Sequence, residues 1–509
     1  MRRSRSIRNI ITSIGSQTIV VLFGLVLPRL FITSFGSEVN GLLSSITNVF
    51  VYINLLEAGL GLASIQALYA PLANHEQNKV DSILAATARS YRRVGIYVLA
   101  CVLSVALIYP LIVESSINYC TIVVLFLLQG SVTVLDYFLQ AKNRILLQAE
   151  AKSYVITNIN MTISIATSTC KILLIFLHFD IIAIQLSFAF ISMLKILLFQ
   201  RYMHKQYKHL NKNAEPDFGS ISDRKYSFVH NAVFMISANI DILILTVMTN
   251  LKVVSVYAVY KIIYQGVKMI PSALQNGVNA SFGQLYADNK ERFTEMYASF
   301  EVMYTIITFS LFTVACILTK PFLMLYTAGV TDIEYIIYGL PIFFTASELL
   351  NEMRSLSTKV IHYAGHFKQT MKPAIIEIII NCLLSVLFVK FAGIIGVVLA
   401  TVIASLYRVI AYTQYTNKYL LNRDVKITYR RWTVNSIVAA CIIFLSSNIP
   451  LEIGNYFMFV VYAVVGTVIV SLMFFVGNLF IAKSELGYVV SYIKPILHNR
   501  LKARNKDVH

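Results

Sequence analysis

The sequence predicts an all-α integral membrane protein with about 14 transmembrane helices, and three observations lead there. First, 57% of its 509 residues are hydrophobic and only 13% are charged, about half the roughly 25% charged content of a soluble domain. Second, the apolar residues come in blocks of about 20, the length a helix needs to cross a hydrocarbon core of about 30 Å. Third, Lys and Arg gather between alternate blocks. Ten-residue stretches of strict alternation, the mark of a membrane β-barrel, are missing from the sequence. A helix satisfies its own backbone in lipid, so an α-helical bundle follows.

In chain order the expected spans are 9–33, 40–63, 93–113, 117–141, 154–177, 179–200, 227–249, 253–276, 298–319, 334–354, 373–391, 394–416, 432–449 and 456–481. The N-terminus is basic and then apolar but has no small-residue cleavage site, so the first block reads as a retained helix. The six cysteines lie in or beside apolar blocks with no two close together, a pattern that suggests neither a disulfide framework nor a CxxC metal site.

The formal net charge is +18. Its placement argues for topology and against nucleic acid. With the N-terminus in the cytoplasm, 34 of the 43 Lys and Arg residues fall in tails and inner loops, and three, Lys252, Lys320 and Lys390, fall outside. This bias predicts that both termini are cytoplasmic. The outer loops are too short to fold into a catalytic domain. The longest inner connection, Arg201 to Tyr226, carries Pro216 and Gly219 and divides the first six spans from the next six. The expected organisation is an N-terminal lobe over 1–204, a linker over 205–226, a C-terminal lobe over 227–416, and helices 13 and 14 with a basic tail over 417–509. Weak internal similarity supports two halves: Asn9 and Asn231 each follow basic residues at the start of a half, and the turn Phe35 to Gly41 has a counterpart in Asn250 to Val256. Repeated halves are a common transporter plan.

Charged residues inside spans are costly and usually face water or a partner. In span eight, Lys261, Gln265, Lys268, Ser272 and Asn276 recur every three or four residues, on one helical face. Two lysines on that face predict a hydrated cavity rather than a helix buried by interhelical hydrogen bonds. Shorter polar sets are His230, Ser237 and Asp241 in span seven; Gln129, Thr133, Asp136 and Gln140 in span four; and Glu377, Asn381 and Ser385 in span eleven. Asn54 and Glu57 lie in span two, Arg29 in span one and Lys171 in span five. The plainer expectation for these is intramembrane pairing, such as Glu57 with Arg29 or Asp241 with Lys261. Lys195, Glu352 and Arg408 lie near inner ends, where long charged side chains snorkel to the interface. Pro28, Pro271 and Pro341 fall inside spans and are expected to kink them. No Walker A loop is present, His362 and His366 lack a third ligand, and no acidic glycosyltransferase motif stands outside the membrane, so the chain is read as a non-enzyme without cofactor or metal.

At this level of detail the chain resembles the polysaccharide flippases of the multidrug/oligosaccharidyl-lipid/polysaccharide exporter superfamily. Leu27-Pro28-Arg29, followed by Phe35-Gly36 and Gly41, is similar to that family's first helix and turn. Leu55 to Ala63 is similar to its second-helix pattern, with Glu57 where the acid is usually Asp. Asn239 to Leu245 and then Tyr257-Ala258 resemble the start of the second half. The resemblance covers about 480 residues. It implies two six-helix lobes in a V-shape and a central cleft lined by helices one, two, seven and eight, which here carry Arg29, Glu57, Asp241, Lys261, Gln265 and Lys268. It further implies alternating access in a bacterial cytoplasmic membrane for oligosaccharides on a polyprenyl diphosphate, destined for capsule, exopolysaccharide or O-antigen. Partners would be membrane lipid, a coupling proton or sodium ion, and the polymerase and glycosyltransferases of that synthesis. A cationic site suits a diphosphate. The competing expectations are a peptidoglycan-precursor flippase, a drug/cation antiporter of the same superfamily, which would favour acids and aromatics, and a membrane polymerase or ligase, which the short outer loops disfavour.

Overall fold

The computed structural model describes residues 2–487 except 208–209, 212–213, 222–232, 234, 450 and 452. His230, Asn231 and the basic tail from 488 onward lie outside the described residues. Among those described there is no strand, only an isolated bridge between Glu114 and Asn250. The helices are α1 (Arg2–Phe35), α2 (Ser37–Ile53), α3 (Ala58–Ala73), α4 (Gln77–Ile112), α5 (Tyr119–Leu139), α6 (Ala141–Ala149), α7 (Ser153–Phe176) and α8 (Ile181–Gln206). They continue as α9 (Ile240–Met248), α10 (Leu251–Asp288), α11 (Lys290–Tyr326), α12 (Leu340–Ala364), α13 (Phe367–Tyr415), α14 (Val425–Ser447) and α15 (Tyr456–Leu479). Each of the fourteen expected spans falls on helix, the seventh through α9.

The departures have local causes. Span two is split: a short 3-10 turn over Asn54–Leu56 separates α2 from α3. Spans eleven and twelve form the two limbs of α13, which breaks at Gly393 with φ 52°, a backbone angle that costs glycine little. Pro341 kinks nothing. It occupies the first turn of α12, after Gly339 in the left-handed region, where its missing N–H is no loss. Pro28 and Pro271 do lie inside helices. Among the described residues, nine helices are long and apolar enough to span a membrane. The charges of α12 (Glu348, Glu352, Arg354) and of α14 (Lys426, Arg430, Arg431) dilute the hydropathy of those two.

The chain divides into two compact units, residues 1–259 with 329–333, and residues 260–328 with 334–509. The first has its core in Leu42, Ile46, Phe50, Val98, Leu125 and Phe126, all buried. It also holds α9 and the start of α10. Ser45 and Thr246 share a hydrogen bond at 2.8 Å, and Asn40 donates to the Ser255 hydroxyl at 2.7 Å. The turns that the sequence pairs as counterparts thus meet inside one unit, at Gly41 and Leu251. In the second unit Phe282, Phe293, Tyr297, Tyr304 and Tyr412 form an aromatic core.

Candidate functional site

In the first unit the interruption of span two positions an acid. Glu57 sits where the 3-10 turn hands over to α3. Tyr91 of α4 donates to its Oε1 at 2.7 Å, and Tyr137 of α5 donates to Asn54 at 2.7 Å. Gly61 leaves room for this arrangement, since a Cβ there would come within 3.1 Å of the Tyr91 hydroxyl. Arg144 of α6 stands 3.6 Å from Glu57 and 2.7 Å from Asp136, and Lys195 of α8 stands 3.2 Å from Asp136. Two carboxylates and two cations therefore balance one another. Glu57 is paired with Arg144. Lys195 is held by Asp136, and Lys171 lies 4.4 Å over the Phe188 ring. Asp241, 7% exposed, accepts from Tyr257 at 2.8 Å. Arg29 is half-buried on α1.

In the second unit the polar stripe of α10 runs along the half-buried and exposed side of the helix: Lys261 and Lys268 are half-buried and Gln265 is exposed. Tyr264, one turn before Lys268, and Gln275, two turns after it, lie close to the lysine's side of the helix and are buried against α12: Tyr264 donates to the Pro341 carbonyl at 2.8 Å, and Gln275 accepts from Ser355 at 2.7 Å. Lys268, its side chain 37% exposed, stands 3.1 Å from Glu348 and 3.3 Å from Glu352, both on α12. Glu352 also accepts from Tyr304 of α11. Next along the same helices, Glu377 is clamped between Arg354 and Arg408, and Arg408 donates to Tyr412 at 3.1 Å. Three cations face three carboxylates across α10, α12 and α13. A third balanced group fastens α14 to α11: Glu301 takes Arg423 at 2.7 Å and Arg431 at 2.8 Å, and Arg431 also pairs with Glu485.

These pairs correct the sequence reading of several residues. Arg408 and Glu352, expected to snorkel, are each 2% exposed; a partner of opposite charge makes burial tolerable where water is absent. Arg144, Arg354, Arg423 and Arg431, read as topology signals in inner loops, make internal ion pairs. Glu348 and Glu301 escaped the sequence reading. Glu348 precedes Glu352 by one helical turn, so the acidic face of α12 was legible in that spacing, whereas nothing local to Glu301 announces its two arginines. Lys268 is consequently not a bare cation, because two acids neutralise it. The site residues fall into both units, with Arg29, Glu57 and Asp241 in the first and Lys261, Gln265 and Lys268 in the second. Among the described residues no group of three or more His, Cys, Asp or Glu side chains could hold a metal ion.

No protein-family model and no curated protein matches the chain. Solved structures do. The lipid II flippase MurJ in an inward closed conformation superposes with a TM-score of 0.67 at 18% identity, over 92% of this chain and 98% of the flippase. The chain has a transporter fold. An inward-facing multidrug resistance MATE family transporter of the MOP superfamily gives a TM-score of 0.60 at 14% identity, over 79% of this chain and 94% of that one. A MOP superfamily transporter from Pyrococcus furiosus gives 0.53 at 14% identity, over 82% and 96%. The architecture is that of a multi-pass membrane protein of transporter type.

Proposed function

We propose that this chain is a flippase that moves oligosaccharides linked to a polyprenyl diphosphate across a bacterial cytoplasmic membrane, exposing its site to the two sides in turn. The observation that carries the reading is Lys268: a cation on a membrane-embedded helix, in line with Lys261 and Gln265, held by carboxylates that an incoming diphosphate can replace. Likeness to a lipid II flippase over 92% of the chain supports it. In this scheme the diphosphate draws Lys268 from Glu348 and Glu352. Gln265 and Lys261 meet the adjoining phosphate or sugar, and Arg29 of the first unit offers a separate cationic contact. A ligand shifts a conformational equilibrium only by binding one state better, and exchange of internal acids for substrate supplies that difference. Glu57 and Asp241 serve the first unit in the same way, as acids whose protonation would weaken their contacts with Arg144 and Tyr257 and offer a route for a coupling proton.

The test is flipping in proteoliposomes holding purified full-length protein and fluorescent lipid-linked substrate, read by accessibility to an added quencher. A polymer repeat unit, the peptidoglycan precursor and a cationic dye form the three arms. Faster movement of the repeat unit than of either alternative is expected. Movement of the precursor alone would reassign the substrate, and movement of the dye alone would make the chain an antiporter.

A further inference from the structure

A cavity of about 1300 Å³ lies wholly within the first unit, at the ends of the helices that carry the basic loops. Three helix faces converge on it. Asp81, Leu84, Ala88 and Arg89 come from α4; Lys142, Asn143 and Leu146 from α6; and Leu197, Gln200, Arg201 and His204 from α8. Each set keeps the spacing of one helical side. Ala85 and Ala88 leave the space, and buried Leu84, Leu146 and Met203 form an apolar floor. Beyond α8, Tyr207, Leu210, Asn211 and Ala214 complete the wall.

The charge is one-sided. Arg89, Lys142, Arg201 and His204 line the cavity, and among the described residues Asp81 is the one acid there. Asp81 is already engaged: Gln77 donates to one oxygen at 3.0 Å and the Asn211 backbone N–H to the other at 3.2 Å. The ion pairs of this unit use Lys79, Arg144, Lys152 and Lys195; among the described residues they leave Arg89 and Arg201 without one. Toward the middle of the span the outer side of α8 is wholly apolar, with Leu197, Leu194, Phe190 and Leu186 exposed at 60%, 41%, 70% and 50%. A cationic pocket at the membrane edge, beneath an apolar helix side, has the chemistry of a phosphate headgroup above its acyl chains.

We infer that this pocket binds the headgroup of a resident anionic phospholipid, with its chains laid along the exposed side of α8. The occupant is a lipid that stays rather than cargo, because no polar stripe leads from the pocket along α8 by which a sugar could follow. The bound lipid has a structural consequence. Besides Asn211 on Asp81, the Asp217 N–H bonds the Ser82 carbonyl at 3.2 Å, and Arg93 lies 5.6 Å from the centre of the Phe218 ring. A headgroup bridging Arg89 to Arg201 would tie α4 to α8 beside this docked segment.

Native mass spectrometry of the purified full-length protein, titrated with cardiolipin, phosphatidylglycerol, phosphatidylcholine or inorganic phosphate, tests the inference. Each surface cation contributes roughly a five-fold gain in affinity for anionic lipid, so Arg89→Gln with Arg201→Gln should weaken cardiolipin binding by about thirty-fold. Arg92→Gln, an exposed neighbour outside the pocket, should leave it unchanged, and phosphatidylcholine should bind poorly to all. Ala88→Trp fills the cavity with its charges intact and should also expel the lipid; should it misfold, the arginine pair still decides. Equal losses from Arg92→Gln and the pocket pair would show ordinary edge electrostatics and overturn the site. Saturation by inorganic phosphate alone, or displacement of cardiolipin by polyprenyl diphosphate at lower concentration, would overturn the phospholipid assignment.

Discussion

Lys268 and Glu348 stand 3.1 Å apart on neighbouring helices, with Glu352 completing the contact from the next turn of α12. Removing the lysine would strand two carboxylates one turn apart in a membrane-embedded setting. Loss of one partner of a buried pair costs about 3–5 kcal/mol, and the partial exposure of Lys268 brings the expected cost of Lys268→Ala nearer to 2 kcal/mol. Adding Glu348→Gln should recover much of that stability, read as thermal unfolding in detergent. Flipping should stay lost in both variants, while Lys268→Arg keeps some activity because the charge persists. Normal flipping by Lys268→Ala would end the substrate-exchange mechanism.

The clamp on Glu377 makes an asymmetric forecast. Glu377 is 1% exposed and Arg408 2%. Glu377→Ala leaves two guanidiniums facing each other in a buried place, whereas Arg408→Ala leaves Glu377 still paired with Arg354. The first substitution should destabilise by at least about 3–5 kcal/mol and the second by less. Folded yield after detergent extraction ranks the two. The reverse order would mean that Arg354 is not a working partner.

Much of the fold was legible because lipid enforces simple rules: apolar blocks of fixed length, cations to one side, polar residues on shared helix faces. The α10 stripe, Glu377 and Asp241 stood out for that reason. What stayed hidden were partnerships over long sequence separations. Periodicity marks Lys268 as facing something other than lipid, but it cannot say that Glu348, 80 residues away, is what it faces. Arg354 and Arg431 were misread for the converse reason, since a cation near a helix end looks the same in sequence whether it reaches the interface or turns inward to a glutamate.

The 34-to-3 charge bias predicts that both termini and the connection after α8 are cytoplasmic, and the test needs exposed positions. Ser220 is exposed in the connection after α8, and Tyr338 is 82% exposed between α11 and α12. In a background without the six native cysteines, Ser220→Cys should resist a membrane-impermeant maleimide in intact cells and react after permeabilisation. Tyr338→Cys should react in intact cells. The opposite pattern would invert the chain in the membrane.

Gly41 offers the sharpest packing test. It lies on α2 with the backbone of Leu251 against its face, so close that a Cβ at this position would overlap the Leu251 carbonyl. Backbone on backbone cannot yield as a flexible side chain can. The neighbouring bond from Asn40 to Ser255 holds the two segments at that separation. Gly41→Ala should therefore cost about 1–3 kcal/mol through overpacking, even though alanine is the better helix former. Gly266 is the control: it lies inside α10 with nothing within 4 Å of its added Cβ. There the same substitution should stabilise by about 0.5–1 kcal/mol, since alanine loses less freedom on folding. Thermal unfolding of the two variants should move in opposite directions from the parent. If both rise, the α2–α10 contact is looser than the distances imply, and the close meeting of the two counterpart turns does not hold the first unit together.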